Sequence, residues 1–201
     1  IRLLHESGEN ITKIRGVFSG SLSYLFNTFS ENEVSFADVL QEAISRGLTE
    51  PDPREDLGGN DVARKLLILA RELDLENELA DVAIKNLIPE NLREGTANEF
   101  LNNIHLLNDE YAQIKQEQDS DFVLRYIGEL SGDLSRNKGD LAVKLVSVPK
   151  HTPLGSLKGS DAIFEIYTES YGEQPIVIQG AGAGSKVTAR GVFGDILRLA
   201  K

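Results

Sequence analysis

The chain has 201 residues, 40% of them hydrophobic, which suits a single domain with a substantial core, and its apolar runs fall far short of the ~18–20 residues a bilayer span needs. Basic side chains number 21 against 32 acidic ones, a net charge of −11 with no basic stripe, which argues against nucleic acid and anionic membrane as partners. Cysteine is absent, which excludes a disulfide scaffold, a thiolate nucleophile and a zinc ribbon together and fits a cytoplasmic protein.

The chain starts at Ile1 and contains no Met, so it is read as a piece of something longer, with no secretory leader at its start. Ile11–Phe18 (ITKIRGVF) alternates apolar and polar residues and predicts a strand, followed by a turn at Ser19–Ser21. Leu22, Leu25, Phe26 and Phe29 then recur at helical spacing. Ser35 caps a second predicted helix through Phe36, Val39, Leu40 and Ile44, with Gly47 as its C-terminal stop. Leu48–Asn60 (LTEPDPREDLGGN) is expected to be neither helix nor strand, and a loop of that length inside a compact domain tends to serve function. Asp61–Leu73 predicts a helix with Val62, Leu66, Leu69 and Leu73 in one stripe.

A connection through Pro89 leads to a helical pair over about Thr96–Gln118. Strands are predicted at Asp121–Leu130, Leu141–Val148, Ala162–Thr168 and Pro175–Gln179, and a Gly-rich turn, Gly180–Gly184, opens a closing helix over Ser185–Lys201. Helices early and strands late predict an α+β fold with a mixed, largely antiparallel sheet covered by helices. The expected division is a main domain over 1–180 and a terminal turn and helix over 181–201.

The chemistry concentrates in Ala43–Lys65 (AISRGLTEPDPREDLGGNDVARK). Glu50, Asp52, Glu55, Asp56 and Asp61 crowd a turn stiffened by Pro51 and Pro53, while Gly58 and Gly59 let the backbone approach a ligand or enter the helix sharply. Asp61 falls in the first turn, where the helix dipole favours an anion, and Lys65 lies four residues on, on the same face. At the edge of the apolar stripe the pair is expected to be partly desolvated, which gives a lysine a tunable pKa for proton transfer. Taken singly, such a pair is commonly a solvated ion pair and such a loop commonly just solvated.

The combination resembles the signature of the homoserine dehydrogenase family, carried here by Ala43, Gly47, Leu48, Thr49, Asp52-Pro53, Asp56, Gly59, Asp61 and Lys65. Gly16–Tyr24 (GVFSGSLSY) and the ending Gly180–Gly184 with Val187, Thr188, Ala189, Gly191 and Val192 are similar to two further family segments. Two departures are Gly58, where a small polar residue is expected, and Leu48, where many members carry Tyr, which removes a hydroxyl contact there. The resemblance implies an oxidoreductase that interconverts L-homoserine and L-aspartate 4-semialdehyde with NADP or NAD, in threonine and methionine biosynthesis. It implies Lys65 in proton transfer with Asp61 as its partner, Glu50 on the substrate ammonium, and Asp56 shaping the substrate site. It also implies a homodimer through the sheet, a nucleotide-binding (Rossmann) domain outside this chain that holds most of the cofactor, and Gly184 as the closest approach of this chain's backbone to that cofactor.

By itself G-x-G-x-G-S at Gly180–Ser185 lacks the third-glycine spacing of a dinucleotide fingerprint, and a turn opening a helix is the simpler account. No G-x-S-x-G elbow or Walker lysine occurs, the three histidines show no metal spacing, and Asp133, Ser135 and Asn137 bear only a faint similarity to a calcium loop. Two alternatives stand beside the enzyme reading: a non-catalytic dimerisation or amino-acid-binding module of the same fold, and a carboxylate metal site built from Glu50, Asp52, Asp56 and Asp61.

Overall fold

The computed structural model describes residues 1–200. Strand β1 (Ile11–Val17) lies inside a six-stranded sheet, hydrogen-bonded to two strands that come more than a hundred residues later. It pairs antiparallel with β3 (Phe122–Ser131) on one side and β5 (Asp161–Thr168) on the other. Beyond β3 runs β4 (Asp140–Pro149), and beyond β5 runs β6 (Ile176–Ala181), both antiparallel. A short strand, β2 (Val82–Ile84), adds in parallel to β4 and has no counterpart among the predicted strands, because three residues carry no readable alternation. The order is β2-β4-β3-β1-β5-β6, the mixed and largely antiparallel arrangement expected.

Register sorts the side chains into two layers. Ile14, Leu124, Tyr126, Leu130, Leu141, Val143 and Ile166 point to the helical side and join one buried core. Covering them are α2 (Gly20–Glu31), α3 (Phe36–Ser45), α5 (Asn60–Arg71) and α7 (Asn108–Gln116), with α6 (Ala97–Asn103) between. Phe26, Phe29, Phe36 and Tyr111 interlock there, the last two stacked at 3.6 Å between centroids. On the other side Val17, Val123, Ile127, Val148 and Ile163 meet Leu154 and Leu157 of the segment following β4. Arg125 is fully buried beside them, and its guanidinium donates to the carbonyls of Leu154, Gly155 and Leu157 at 2.9, 2.8 and 3.2 Å. Burial pulls its pKa down to about 10.

Local capping follows the residue types. Ser35 accepts from the Asp38 N–H at the head of α3, and Gly47, at φ +66°, turns the chain out of that helix as expected. Three sequence expectations need correction. Ser19–Ser21 is not a separate turn: Ser19 is the N-cap of α2 and accepts from the Leu22 N–H, while Gly20 and Ser21 already lie in the helix. Within Leu48–Asn60 one helical turn forms, α4 (Arg54–Leu57), because Pro53 sits at its cap, where a missing N–H costs nothing and φ is already −65°. Strand β6 runs to Ala181, so only Gly182–Gly184 form the turn.

At the two ends, α1 (Arg2–Glu6) and α8 (Ser185–Leu199) bury no side chain. Val192, Phe193, Ile196 and Leu199 of α8 are all more than half exposed. The closing helix was expected to reach Lys201, which lies outside the described residues.

Candidate active site

Helix α5 enters the molecule through Gly59, whose φ of +77° is a left-handed conformation that favours glycine. A Cβ there would lie 2.1 Å from the Tyr126 hydroxyl, which itself donates to the Lys85 carbonyl at 2.7 Å. The close approach foreseen for this glycine is therefore to the protein's own core. It fixes the first turn of α5, which carries Asp61, against the sheet, and Lys65 projects one turn further along the same face.

The Lys65 Nζ donates to the Asp61 carboxylate at 2.7 Å and to the main-chain carbonyl of Phe18 at 3.0 Å. An ammonium carries three N–H donors, so one is left over. The two side chains are 48% and 57% exposed, so the partial desolvation expected of the pair is not supplied by the described residues. Phe18 follows β1, and its ring fills a notch above Gly16 and Gly128, where a Cβ would come within 2.6 and 2.7 Å of it. That ring stacks on Phe164 at 4.8 Å.

The acidic loop is held from both sides. Asp52 takes three contacts from the Arg54 guanidinium, the shortest 2.7 Å, and one from its backbone N–H, and that guanidinium holds its carboxyl below the usual carboxylate range. Arg54 also donates to the carbonyls of Arg93 and Gly95, 39 and 41 residues later, an anchor invisible in the local sequence. Asp56 accepts from the Ser21 hydroxyl at 2.6 Å and from the Glu50 N–H at 2.8 Å. Glu50 itself is exposed, and among the described residues its carboxylate makes no hydrogen bond or ion pair.

Residues of α5 line two hollows. A polar one of about 380 Å³ is lined by Glu50, Glu55, Asp56, Asn60, Asp61 and Arg64. An apolar one of about 260 Å³ is lined by Phe18, Lys65, Ile68, Leu69, Ala162, Phe164 and Gly182. Asp61 faces the first, and its bonded partner Lys65 faces the second. Glu50, Asp56, Asp61 and Lys65 are thus brought together. Gly184 lines neither hollow; it holds φ +117° at the start of α8, and Gly182 is the terminal glycine beside Lys65. A larger hollow of about 600 Å³, by Lys85, Ile114, Phe122 and Leu145, contains none of these residues. Among the described residues no three His, Asp or Glu side chains converge in a way that could hold a metal ion, which corrects the carboxylate metal reading. Nor is any helix among them long and apolar enough to cross a membrane.

A mixed sheet with one helical layer, carrying a lysine between an acidic pocket and an aromatic cleft, defines an α+β domain with a concave polar site. The sequence model of the homoserine dehydrogenase family matches residues 1–197. A maize chloroplastic bifunctional aspartokinase/homoserine dehydrogenase is 45% identical over all of this chain and 22% of its own length, and the homoserine dehydrogenase of Saccharomyces cerevisiae is 42% identical over all of this chain and 56% of its own. Among solved structures, a Candida auris protein of unknown function superposes with a TM-score of 0.88 at 40% identity, covering 99% of this chain and 56% of that one. A putative homoserine dehydrogenase from Archaeoglobus fulgidus superposes with a TM-score of 0.71 at 25% identity, covering 99% and 54%. The chain belongs to the homoserine dehydrogenase family. It spans between about a fifth and just over half the length of these curated relatives.

Proposed function

We propose that this chain forms the substrate-binding and catalytic part of a homoserine dehydrogenase, which interconverts L-homoserine and L-aspartate 4-semialdehyde with NADP or NAD as cofactor. The observation that carries this reading is the bond between Lys65, which lines an apolar cleft, and Asp61, which lines an acidic pocket. An amino-acid substrate has a cationic end, and the unpartnered Glu50 carboxylate suits it. Asp61 and the Phe18 carbonyl fix two of the three Lys65 donors, leaving the third for the substrate's side-chain oxygen.

The residues present fit a planar ring: Phe18 and Phe164 stack to form one wall of the cleft, with Ile68, Leu69 and Ala162 around it and the Gly182 backbone at its edge. Hydride exchange at the carbon is the chemistry a bound nicotinamide supplies. Lys65 handles the matching proton: it donates to the carbonyl oxygen as the aldehyde is reduced and accepts from the hydroxyl in the reverse direction, while Asp61 orients the amine. Gly184, at the head of α8, is proposed as the closest backbone to the cofactor, held chiefly by a nucleotide-binding domain outside this chain, and 181–201 as the part that faces it.

The helix-free face of the sheet carries Lys13, Arg15, Glu129, Lys144, Glu165 and Tyr167, and we propose that face for a homodimer. The test is Lys65→Ala in the full-length enzyme. Turnover should fall by about 100-fold or more, in line with loss of a general acid–base group, with the melting temperature little changed. A turnover within a few-fold of wild type removes Lys65 from the chemistry.

A further inference from the structure

At the head of α2, two serine hydroxyls and the Asp56 carboxylate form a hydrogen-bonded chain. The Leu22 N–H donates to Ser19 Oγ at 3.3 Å, Ser19 Oγ and Ser21 Oγ lie 2.9 Å apart, and Ser21 Oγ is 2.6 Å from Asp56 Oδ1. The carboxylate carries no hydrogen, so Ser21 must donate to it, and Ser19 must in turn donate to Ser21. Every donor in the chain therefore points at Asp56. The other Asp56 oxygen accepts from the Glu50 N–H at 2.8 Å. Ser19 and Ser21 are both buried, so water competes poorly for this relay.

We propose that Ser21 is a positioning residue. Through Asp56 it fixes the main chain at Glu50, and so the place where the substrate ammonium is gripped. This rests on the assignment of Glu50 to the ammonium. Asp56, with both oxygens engaged inside the protein, is the bracket between α2 and the acidic loop. No group of the relay hydrogen-bonds Lys65, whose amine is held by Asp61 and by the Phe18 carbonyl next to Ser19, whereas Ser21 and Asp56 act on the main chain of Glu50. Loss of the Ser21 hydroxyl frees the loop, lowers the grip on substrate and leaves the chemical step alone.

Kinetics of the full-length enzyme separate these effects. In Ser21→Ala the KM for homoserine should rise about tenfold with kcat within about twofold of wild type, the pattern of lost uniform binding. Ser21→Thr, which keeps the hydroxyl, should restore KM. Ser21→Cys, close in volume but a poor donor, should behave as alanine does and replaces it as the test if the alanine variant fails to fold. Ser21→Ala combined with Asp56→Asn should cost less than the sum of the two single changes, because they break one relay. An unchanged KM, a fall in kcat alone, or full additivity overturns the proposal. Glu50→Ala is the control: if it raises KM and Ser21→Ala does not, the relay fails alone, whereas an unchanged KM in Glu50→Ala sinks the ammonium assignment beneath it.

Discussion

Gly59 leaves no room for a methyl group at the head of α5. Its φ of +77° and the Tyr126 hydroxyl 2.1 Å from the place of a Cβ mean that Gly59→Ala must both strain the backbone and push a buried phenol off the Lys85 carbonyl. The expected loss is about 2–4 kcal/mol, read as a melting temperature lower by ~5–15 °C at this chain length. Single residues also show what a sequence reveals. Asp61 and Lys65 are legible as a pair because four residues of helix bring them together by local geometry. The bond from Ser21 to Asp56 spans 35 residues, and Arg54 reaches carbonyls about 40 residues on, so neither has a local signature. The loop reads as acidic and Pro-stiffened, but the groups that hold it do not read at all.

Among the elements, the five longer strands and the main helices are recoverable from period-two and helical spacing, because each has one face in a core. β2 escapes because it is three residues long, and α4 because prolines and glycines read as breakers until the helix-start position of Pro53 is known. The segment after β4 belongs to neither class. It owes its place to Leu154 and Leu157 and to Arg125, whose guanidinium is buried and, among the described residues, hydrogen-bonds only to carbonyls. Arg125→Met should leave three carbonyls of that segment unpaired at a stroke. Amide hydrogen exchange over residues 150–160 is expected to quicken by about tenfold or more, given the ~1.5–3 kcal/mol of a charge-assisted hydrogen bond, with exchange in α2 little affected. Unchanged exchange there would mean that the two leucines alone hold the segment down.

For the molecule as a whole, the core closes without its last helix. None of the α8 side chains is buried, and Val192, Phe193, Ile196 and Leu199 face outward. Ending the chain after Ala181 should therefore leave the melting temperature within about 2 °C; a fall of ten degrees would show that α8 supports the sheet. The sheet gives the site another property, through the carbonyl of Phe18. The amine of Lys65 is moored to the end of a strand flanked on both sides, whereas Glu50 rides on a loop fastened by a few side chains. Warming or mild denaturant will slacken the loop well before it disturbs the strand. If Glu50 grips the substrate and Lys65 serves the chemistry as proposed, the enzyme would lose its hold on scarce substrate first and keep its full pace on abundant substrate longest, so affinity and speed can drift independently in its descendants.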